Sequence, residues 1–261
     1  MPELPEVESR LQYLKRTALG QVVERVEVTE DRILKCCGAA SFKRGLRGRR
    51  LEDAYRRGKY LIIGLDNGRS LILHFTMGGD LKYYRNPSER PRFTRLEFFL
   101  TNGYRLAFTC PRNICRVMLV DSLSEIAGLR AMGPEPLDND FTITRLREVI
   151  SSRRSRQIKS LLMDQNSIAG IGNIYADEIL FQAGIRPDRR ASSLSPPEAR
   201  KLHKAIRKVL GAAITTGGDE ELPEHFLISR EMRGEGCPGE HPIEKIRIIG
   251  RTTRFCPDCQ N

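Results

Sequence analysis

The stretch Pro2-Glu3-Leu4-Pro5-Glu6-Val7 stands directly behind an initiator methionine, Met1. A small second residue such as proline permits removal of that methionine, which would leave a secondary amine beside a carboxylate. An α-amino group titrates at roughly 7.7–8.0, far below a lysine, so part of it is unprotonated near pH 7 and can attack an electrophilic carbon. Retention of Met1 would acylate the Pro2 nitrogen and abolish the nucleophile. The same residues also make a good helix start. Proline is favoured in a first turn, glutamate there complements the helix dipole, and Glu3 and Glu6 share a face if the segment is helical. Taken alone, the stretch supports either reading.

A second group of reactive side chains closes the chain: Cys237-Pro-Gly-Glu-His241, then Cys256-Pro-Asp-Cys259. Two short knuckles separated by a hairpin-length segment can bring four soft or borderline ligands to one point, the donor set of a structural zinc site. The competing reading is a reactive dithiol, Cys256 and Cys259, with His241 incidental. A closed four-ligand zinc serves folding rather than catalysis, so one structural Zn2+ is expected. Between the knuckles, Lys245 to Arg254 alternates basic and apolar residues, as a hairpin with one phosphate-facing side or a solvated strand face would.

In Gly170-Ile171-Gly172-Asn173-Ile174-Tyr175-Ala176-Asp177-Glu178 a glycine turn runs into a helical pattern. Such a turn exposes backbone N–H groups that can bind phosphate, although many are only helix caps. Asn173 at the helix start and Lys159 one helix earlier favour phosphate binding. Three further features belong to the first half. Lys59, in Gly58-Lys59-Tyr60, enters an apolar strand, where a lone lysine usually snorkels at an edge. Met77 sits at a glycine-flanked loop tip, where it can wedge into a base stack or simply fill core. Arg112 and Ile114 occupy a second loop, Cys110-Pro111-Arg112-Asn113-Ile114-Cys115.

The elements that must position these groups follow from the hydrophobic period. Val7, Leu11 and Leu14 recur at helical spacing, predicting a helix from Pro2 to about Ala18. Apolar runs at 22–28, 59–65, 70–75, 96–100, 104–108 and 116–120 predict strands. Asn67-Gly68 and Asn102-Gly103 predict two hairpins whose central residues both take positive φ. This pattern predicts an antiparallel β-sandwich preceded by a helix over residues 1–121, then a linker over 122–140 containing Gly133-Pro134-Glu135-Pro136. Helical patterns at about 142–151, 156–163, 173–182 and 196–214 make a helical domain of residues 141–228. Residues 229–261 are too few for a core of their own and predict a metal-held hairpin. The class is α+β.

Charge narrows the partners. A formal charge of +11, shared by both halves of the chain, suits a polyanion such as DNA. Seven cysteines, an odd number, with no apolar block at the N-terminus argue against a disulfide framework. No apolar run approaches the roughly 18 residues of a membrane span, so a cytoplasmic monomer without membrane contact is expected, nucleoid-associated in a bacterium.

Pro-Glu-Leu-Pro-Glu-Val-Glu, Gly-Lys-Tyr, Gly-Ile-Gly-Asn-Ile-Tyr-Ala-Asp-Glu and the closing Arg-x-Thr…Cys-Pro-x-Cys-Gln, in this order, resemble the formamidopyrimidine-DNA glycosylase and endonuclease VIII family over essentially the whole chain, closer to the first branch. The resemblance implies a β-sandwich, a helix-two-turn-helix domain and a zinc-finger hairpin, with double-stranded damaged DNA bound between them. It also implies base excision repair by a bifunctional glycosylase and abasic-site lyase. Pro2 would attack C1′, Glu3 would move protons at the sugar, Glu6 would be positional and Lys59 would serve the catalytic site. Asn173 and Arg251 would bind one phosphate. Met77, Arg112 and Ile114 would fill the void left by the extruded base.

Three departures from the family pattern carry expectations. The loop usually reads Asp-Pro-Arg-Arg-Phe-Gly, and loss of its aromatic residue weakens stacking on the opposite base. His241 replaces the usual second cysteine of the metal motif. The segment from Gly217 to Arg230 is about ten residues shorter than in members that cap 8-oxoguanine, which predicts poor excision of that base relative to ring-opened purines or oxidised pyrimidines. Two rivals stand beside this reading: an endonuclease VIII-like enzyme preferring oxidised pyrimidines, and a catalytically silent zinc-dependent binder of damaged DNA.

Overall fold

The computed structural model describes residues 2–218 and 222–261. Met1, whose removal the N-terminal amine requires, lies outside them, as do residues 219–221 of the shortened segment. The chain forms two compact units: Met1–Pro2 with Glu6–Arg130, and Glu3–Pro5 with Ala131–Asn261.

The first unit is built on two four-stranded antiparallel sheets. Helix α1 (Leu4–Thr17) starts two residues later than predicted and buries Val7, Leu11 and Leu14. After it come β1 (Val23–Val28), α2 (Ala39–Leu46), β2 (Leu51–Arg57), β3 (Tyr60–Leu65), β4 (Ser70–His74), β5 (Asp80–Tyr84), β6 (Thr94–Leu100), β7 (Arg105–Thr109), β8 (Arg116–Val120) and α3 (Ala127–Arg130). The sheets run β1-β6-β7-β5 and β2-β3-β4-β8. Strands β3, β4 and β8 read as unbroken apolar runs because both faces of their sheet are covered. Leu61, Ile63, Leu71, Leu73, Val117 and Leu119 face the main core, while Ile62, Ile72, Met118 and Val120 pack with Ile126 on the other side. The strands absent from the sequence reading, β2 and β5, are edge strands, LEDAYRR and DLKYY, whose polar residues hide their pattern.

Both Asn-Gly hairpins form, but with a different turn. Only the glycines, Gly68 (φ 80°) and Gly103 (φ 81°), take positive φ. Gly68 N donates to Leu65 O at 2.9 Å and Gly103 N to Leu100 O at 3.0 Å, the pattern of a type I turn followed by a left-handed glycine. The cysteines also differ from expectation. Cys110 and Cys115 form a disulfide, so the odd count conceals one local bridge.

The second unit contains α4 (Ile143–Ser152), α5 (Ile158–Met163), α6 (Asn173–Ala183), α7 (Pro196–Thr215), α8 (Leu227–Met232) and the hairpin β9 (Glu244–Ile248) to β10 (Arg251–Phe255). Helix α7 begins with a capping box, Ser195 with Glu198. Its Leu202, Ile206 and Val209 join Leu161, Ile179 and Leu180 in one core, and Leu4 from the N-terminal tripeptide joins them.

Candidate active site

In the second unit, Glu3 is 3 % exposed and both of its carboxylate oxygens accept backbone hydrogen bonds. Gly172 N donates to Oε2 at 2.6 Å and Ile174 N to Oε1 at 3.0 Å. These amides flank the first residue of α6, where the orphan N–H groups of a helix end favour negative charge. Leu4 N adds a bond to Gly170 O at 3.0 Å. The glycine spacing thereby acquires a cause. A Cβ on Gly172 would lie 2.3 Å from Glu3 Cδ, and one on Gly170, whose φ is 82°, would lie 2.7 Å from Leu4 Cβ. Gln165 completes the turn, accepting from Gly170 N at 2.9 Å and donating to Ile171 O at 2.8 Å. This corrects the sequence reading of the turn: the amides of Gly172 and Ile174 hold Glu3 instead of facing a phosphate. Glu3 itself precedes the helix and does not share a helical face with Glu6.

Asn173, between those two amides, donates through Nδ2 to Thr252 O at 3.1 Å. It therefore meets β10 one residue beyond Arg251, whose side chain is exposed. The two residues expected at one phosphate are brought to neighbouring positions. Lys159 behaves otherwise. It is fully buried, pairs with Asp177 at 2.7 Å and donates to Thr253 Oγ1 at 2.7 Å. Asp177 Oδ2 also accepts from Arg254 N at 3.0 Å. Burial pushes the Lys159 ammonium down and the Asp177 carboxyl up, and their mutual attraction opposes both shifts. The expected phosphate contact of Lys159 is thus replaced by a buried tie between α5, α6 and the hairpin. Sequence reading assigned Asp177 no role, although two acids amid an apolar helix, Asp177 and Glu178, signal buried partners.

In the first unit, Pro2 and Glu6 are buried, Glu6 in the first turn of α1. Lys59 is 7 % exposed and sits on the two-residue turn joining β2 to β3, not within a strand. Gly58, with φ 55°, supplies the positive φ that a glycine-first hairpin turn requires. The His74 ring lies tilted against that of Tyr60, centroids 4.7 Å apart, and burial, with the charges of Arg116 and Lys59, pushes its imidazole down to about 4. Neither His74 nor Gln165 had any signal in the sequence beyond residue type.

Met77, Arg112 and Ile114 lie on two adjoining loops of this unit and all three are exposed, Met77 at 41 % and Ile114 at 47 %. Arg112 Nη1 lies 3.3 Å from Met77 Sδ. Asn113 adopts φ 54° and donates to Glu30 Oε2 at 3.1 Å.

The donor atoms of Cys237, His241, Cys256 and Cys259 all lie within 4.8 Å of one another. Cys237 Sγ is 3.7 Å from Cys259 Sγ and 3.6 Å from His241 Nδ1, which is 3.4 Å from Cys259 Sγ. A tetrahedral site with metal–sulfur bonds of about 2.3 Å has sulfurs about 3.8 Å apart, so the separations among Cys237, His241 and Cys259 fit a metal ion, with Cys256 Sγ within 4.8 Å of each.

Comparison with known proteins adds independent findings. Residues 1–117 match the formamidopyrimidine-DNA glycosylase N-terminal domain, and residues 132–222 match the formamidopyrimidine-DNA glycosylase H2TH domain. Formamidopyrimidine-DNA glycosylase from Pelotomaculum thermopropionicum is 36 % identical, over 100 % of this chain and 99 % of the relative. The protein of that name from Heliobacterium modesticaldum is 37 % identical over 100 % of both chains. Among solved structures, a Lactococcus lactis formamidopyrimidine-DNA glycosylase in complex with FAPY-dG-containing DNA superposes with a TM-score of 0.88 at 31 % identity, covering 99 % of this chain and 100 % of the other. The same Lactococcus enzyme bound non-covalently to DNA containing an AP site gives a TM-score of 0.87 at 31 % identity, covering 99 % of each chain. With two family domains matched and full-length relatives above 30 % identity, the chain belongs to the formamidopyrimidine-DNA glycosylase family.

Proposed function

We propose that the protein is a bifunctional DNA glycosylase and abasic-site lyase that removes oxidised bases, formamidopyrimidines foremost, from double-stranded DNA. The observation that carries this reading is the placement of Glu3. The residue joined to Pro2 has its carboxylate fixed by Gly172 N and Ile174 N, with Asn173 between them bonded to the β10 backbone next to Arg251. An amine on Pro2 would therefore be tethered beside an oriented proton carrier.

On this reading the damaged nucleotide leaves the stack, at a cost of a few kcal/mol. The Pro2 nitrogen attacks C1′ and gives up its proton as the base departs with the electrons of its glycosidic bond; the C1′–O4′ bond then breaks, O4′ takes a proton, and the opened sugar is left as an iminium. Glu3 exchanges protons at the sugar, and β- then δ-elimination releases the two flanking phosphates. Asn173 and Arg251 hold the backbone, Lys59 supplies positive charge at the reacting sugar and Glu6 supports the start of α1. Met77, Arg112 and Ile114 fill the vacated space in the duplex. Cys237, His241, Cys256 and Cys259 would hold one zinc ion, whose contribution is to fold the hairpin that presents Arg251.

Borohydride trapping on a duplex bearing an abasic site tests the nucleophile. Wild type is expected to give a covalent adduct and Pro2→Gly much less; trapping undiminished in that variant assigns the attack to another amine. If no adduct forms at all, the protein is a binder rather than a lyase. A side-by-side lesion panel tests substrate class. Because the segment from Gly217 to Arg230 is short, 8-oxoguanine opposite cytosine is expected to be cut more slowly than a formamidopyrimidine there. Equal rates would remove that inference, and a preference for oxidised pyrimidines would move the enzyme to the endonuclease VIII type.

A further inference from the structure

The loop that carries Arg112 and Ile114 is closed at its base by the Cys110–Cys115 disulfide. Both cysteines are buried, at 0 % and 1 % exposure, while Arg112 and Ile114 between them are exposed. The bridge spans five positions with a Cα–Cα distance of 6.1 Å, inside the usual range of about 4.4–6.8 Å. Cys115 also anchors the neighbouring loop: its Sγ lies 3.0 Å from Phe75 O and 3.5 Å from Thr76 Oγ1. Gly79 passes so close that a Cβ there would lie 3.0 Å from Cys115 Sγ. Met77 is the tip of that second loop, and Arg112 touches it. One sulfur pair therefore sits under all three exposed side chains.

Both oxidation states find partners at this site. In the oxidised form Cys115 N donates to Cys110 Sγ at 3.2 Å, and the sulfur–sulfur bond fixes the loop ends. In the reduced form a Cys115 thiol has an acceptor already in place at Phe75 O. Without the crosslink, the segment Pro111–Ile114, exposed at three of its four side chains and with Asn113 in the left-handed region, is held by Asn113 N on Cys110 O at 3.3 Å, Arg95 Nε on Cys110 O at 3.0 Å, Asn113 against Glu30 and Arg112 against Met77.

We propose that Cys110 and Cys115 are redox-dependent positioning residues, whose disulfide fixes Arg112, Ile114 and Met77 in one arrangement and thereby sets discrimination of the base opposite the lesion. The inference rests on the assignment of those three side chains to the vacated duplex. A peroxide is a sufficient oxidant. The two thiols lose two protons and two electrons to form the S–S bond, the O–O bond of the peroxide breaks, and an alcohol or water plus a further water leave. Thiols reverse the step by exchange.

The test uses the full-length, zinc-loaded protein, oxidised with hydrogen peroxide or reduced with thiol. The state of the pair is read by alkylation and mass spectrometry of the peptide containing both cysteines. Single-turnover excision of a formamidopyrimidine opposite cytosine and opposite adenine gives the opposite-base ratio. Oxidised and reduced protein are expected to differ about tenfold in that ratio, within what one well-placed base contact discriminates. Cys110→Ser with Cys115→Ser should match the reduced value and lose the response, which excludes oxidation of the metal-site thiolates as its source. If peroxide leaves the pair as thiols, or if the ratio is equal in both states, the proposal is overturned. Arg112→Ala and Ile114→Ala distinguish the two levels of failure: a ratio moved by these variants but not by redox state removes only the disulfide's role. A ratio moved by neither removes the wedge assignment as well.

Discussion

Lys159 and Asp177 are a pair whose value lies in being complete. A buried ion pair gains little over an apolar replacement, because the cost of desolvating both charges offsets their attraction, but leaving one partner alone is expensive. Lys159→Ala is therefore expected to destabilise the helical unit by about 3–5 kcal/mol in denaturant unfolding. Combining Lys159→Met with Asp177→Leu leaves chiefly the Arg254 N–H unsatisfied, at about 1–3 kcal/mol. A double variant no more stable than Lys159→Ala would refute this account. Glu178 behaves differently. Burial raises its carboxyl from 4.5 to about 7, while Leu227 N, at 2.6 Å, and Gln182 favour the ionised form. With the folded value above the unfolded one, its stabilising contribution is complete below about pH 4.5 and is lost as pH rises through about 7. Glu178→Gln should consequently gain on wild type between about pH 5 and pH 8, by a few kcal/mol. Thermal unfolding across that range checks it, and a constant difference would contradict the assignment.

The decisive element is the turn between α5 and α6. Gly172→Ala would drive a Cβ into Glu3 Cδ, 2.3 Å away, so Glu3 must shift while Asn173 and Arg251 remain. A displacement on this scale is expected to slow excision by about 100-fold with only a small change in binding to a duplex containing an abasic-site analogue. Parallel loss of both would indicate that the turn itself has collapsed. The metal knuckles form the second such element. Chelation is expected to weaken DNA binding at least tenfold, reversibly on adding zinc, because residues 229–261 bury only Ile248 and Phe255 as apolar side chains besides the ligands Cys237 and Cys256. Here the sequence was most readable: four ligands at fixed spacing point to one geometry. The Gly-Ile-Gly-Asn turn was equally visible, yet its occupant was not. Glu3 lies 169 residues from Gly172, and no local period encodes a contact of that range. Lys159 was misjudged for a related reason, since a lysine reads as a surface residue unless its partners on another helix and a hairpin are known. The Cys110–Cys115 bridge left no trace because two cysteines five apart are equally compatible with free thiols.

At the scale of the whole molecule, the surplus of +11 sets how binding responds to ions. Affinity for undamaged duplex should fall steeply with salt, and Arg251→Ala should lower the slope of log K against log salt by about 1 if that side chain neutralises one phosphate. An unchanged slope would place Arg251 away from the backbone. Sandwich, helical unit and hairpin were all legible as classes because their cores are periodic; the assignment of residues to units was not, because Glu3–Pro5 packs with the helices while Pro2 and Glu6 count with the sandwich. That exchange has a consequence for synthesis. On the ribosome the tripeptide emerges well before its partners, since Gly172 and Ile174 follow roughly 10–30 s later at about 5–20 residues per second. The sandwich has a core of its own, so it can condense during that interval, but the Glu3 carboxylate stays unplaced until about two-thirds of the chain has been made. On the proposed mechanism the nascent enzyme is thus built with its chemistry withheld until the turn before α6 exists.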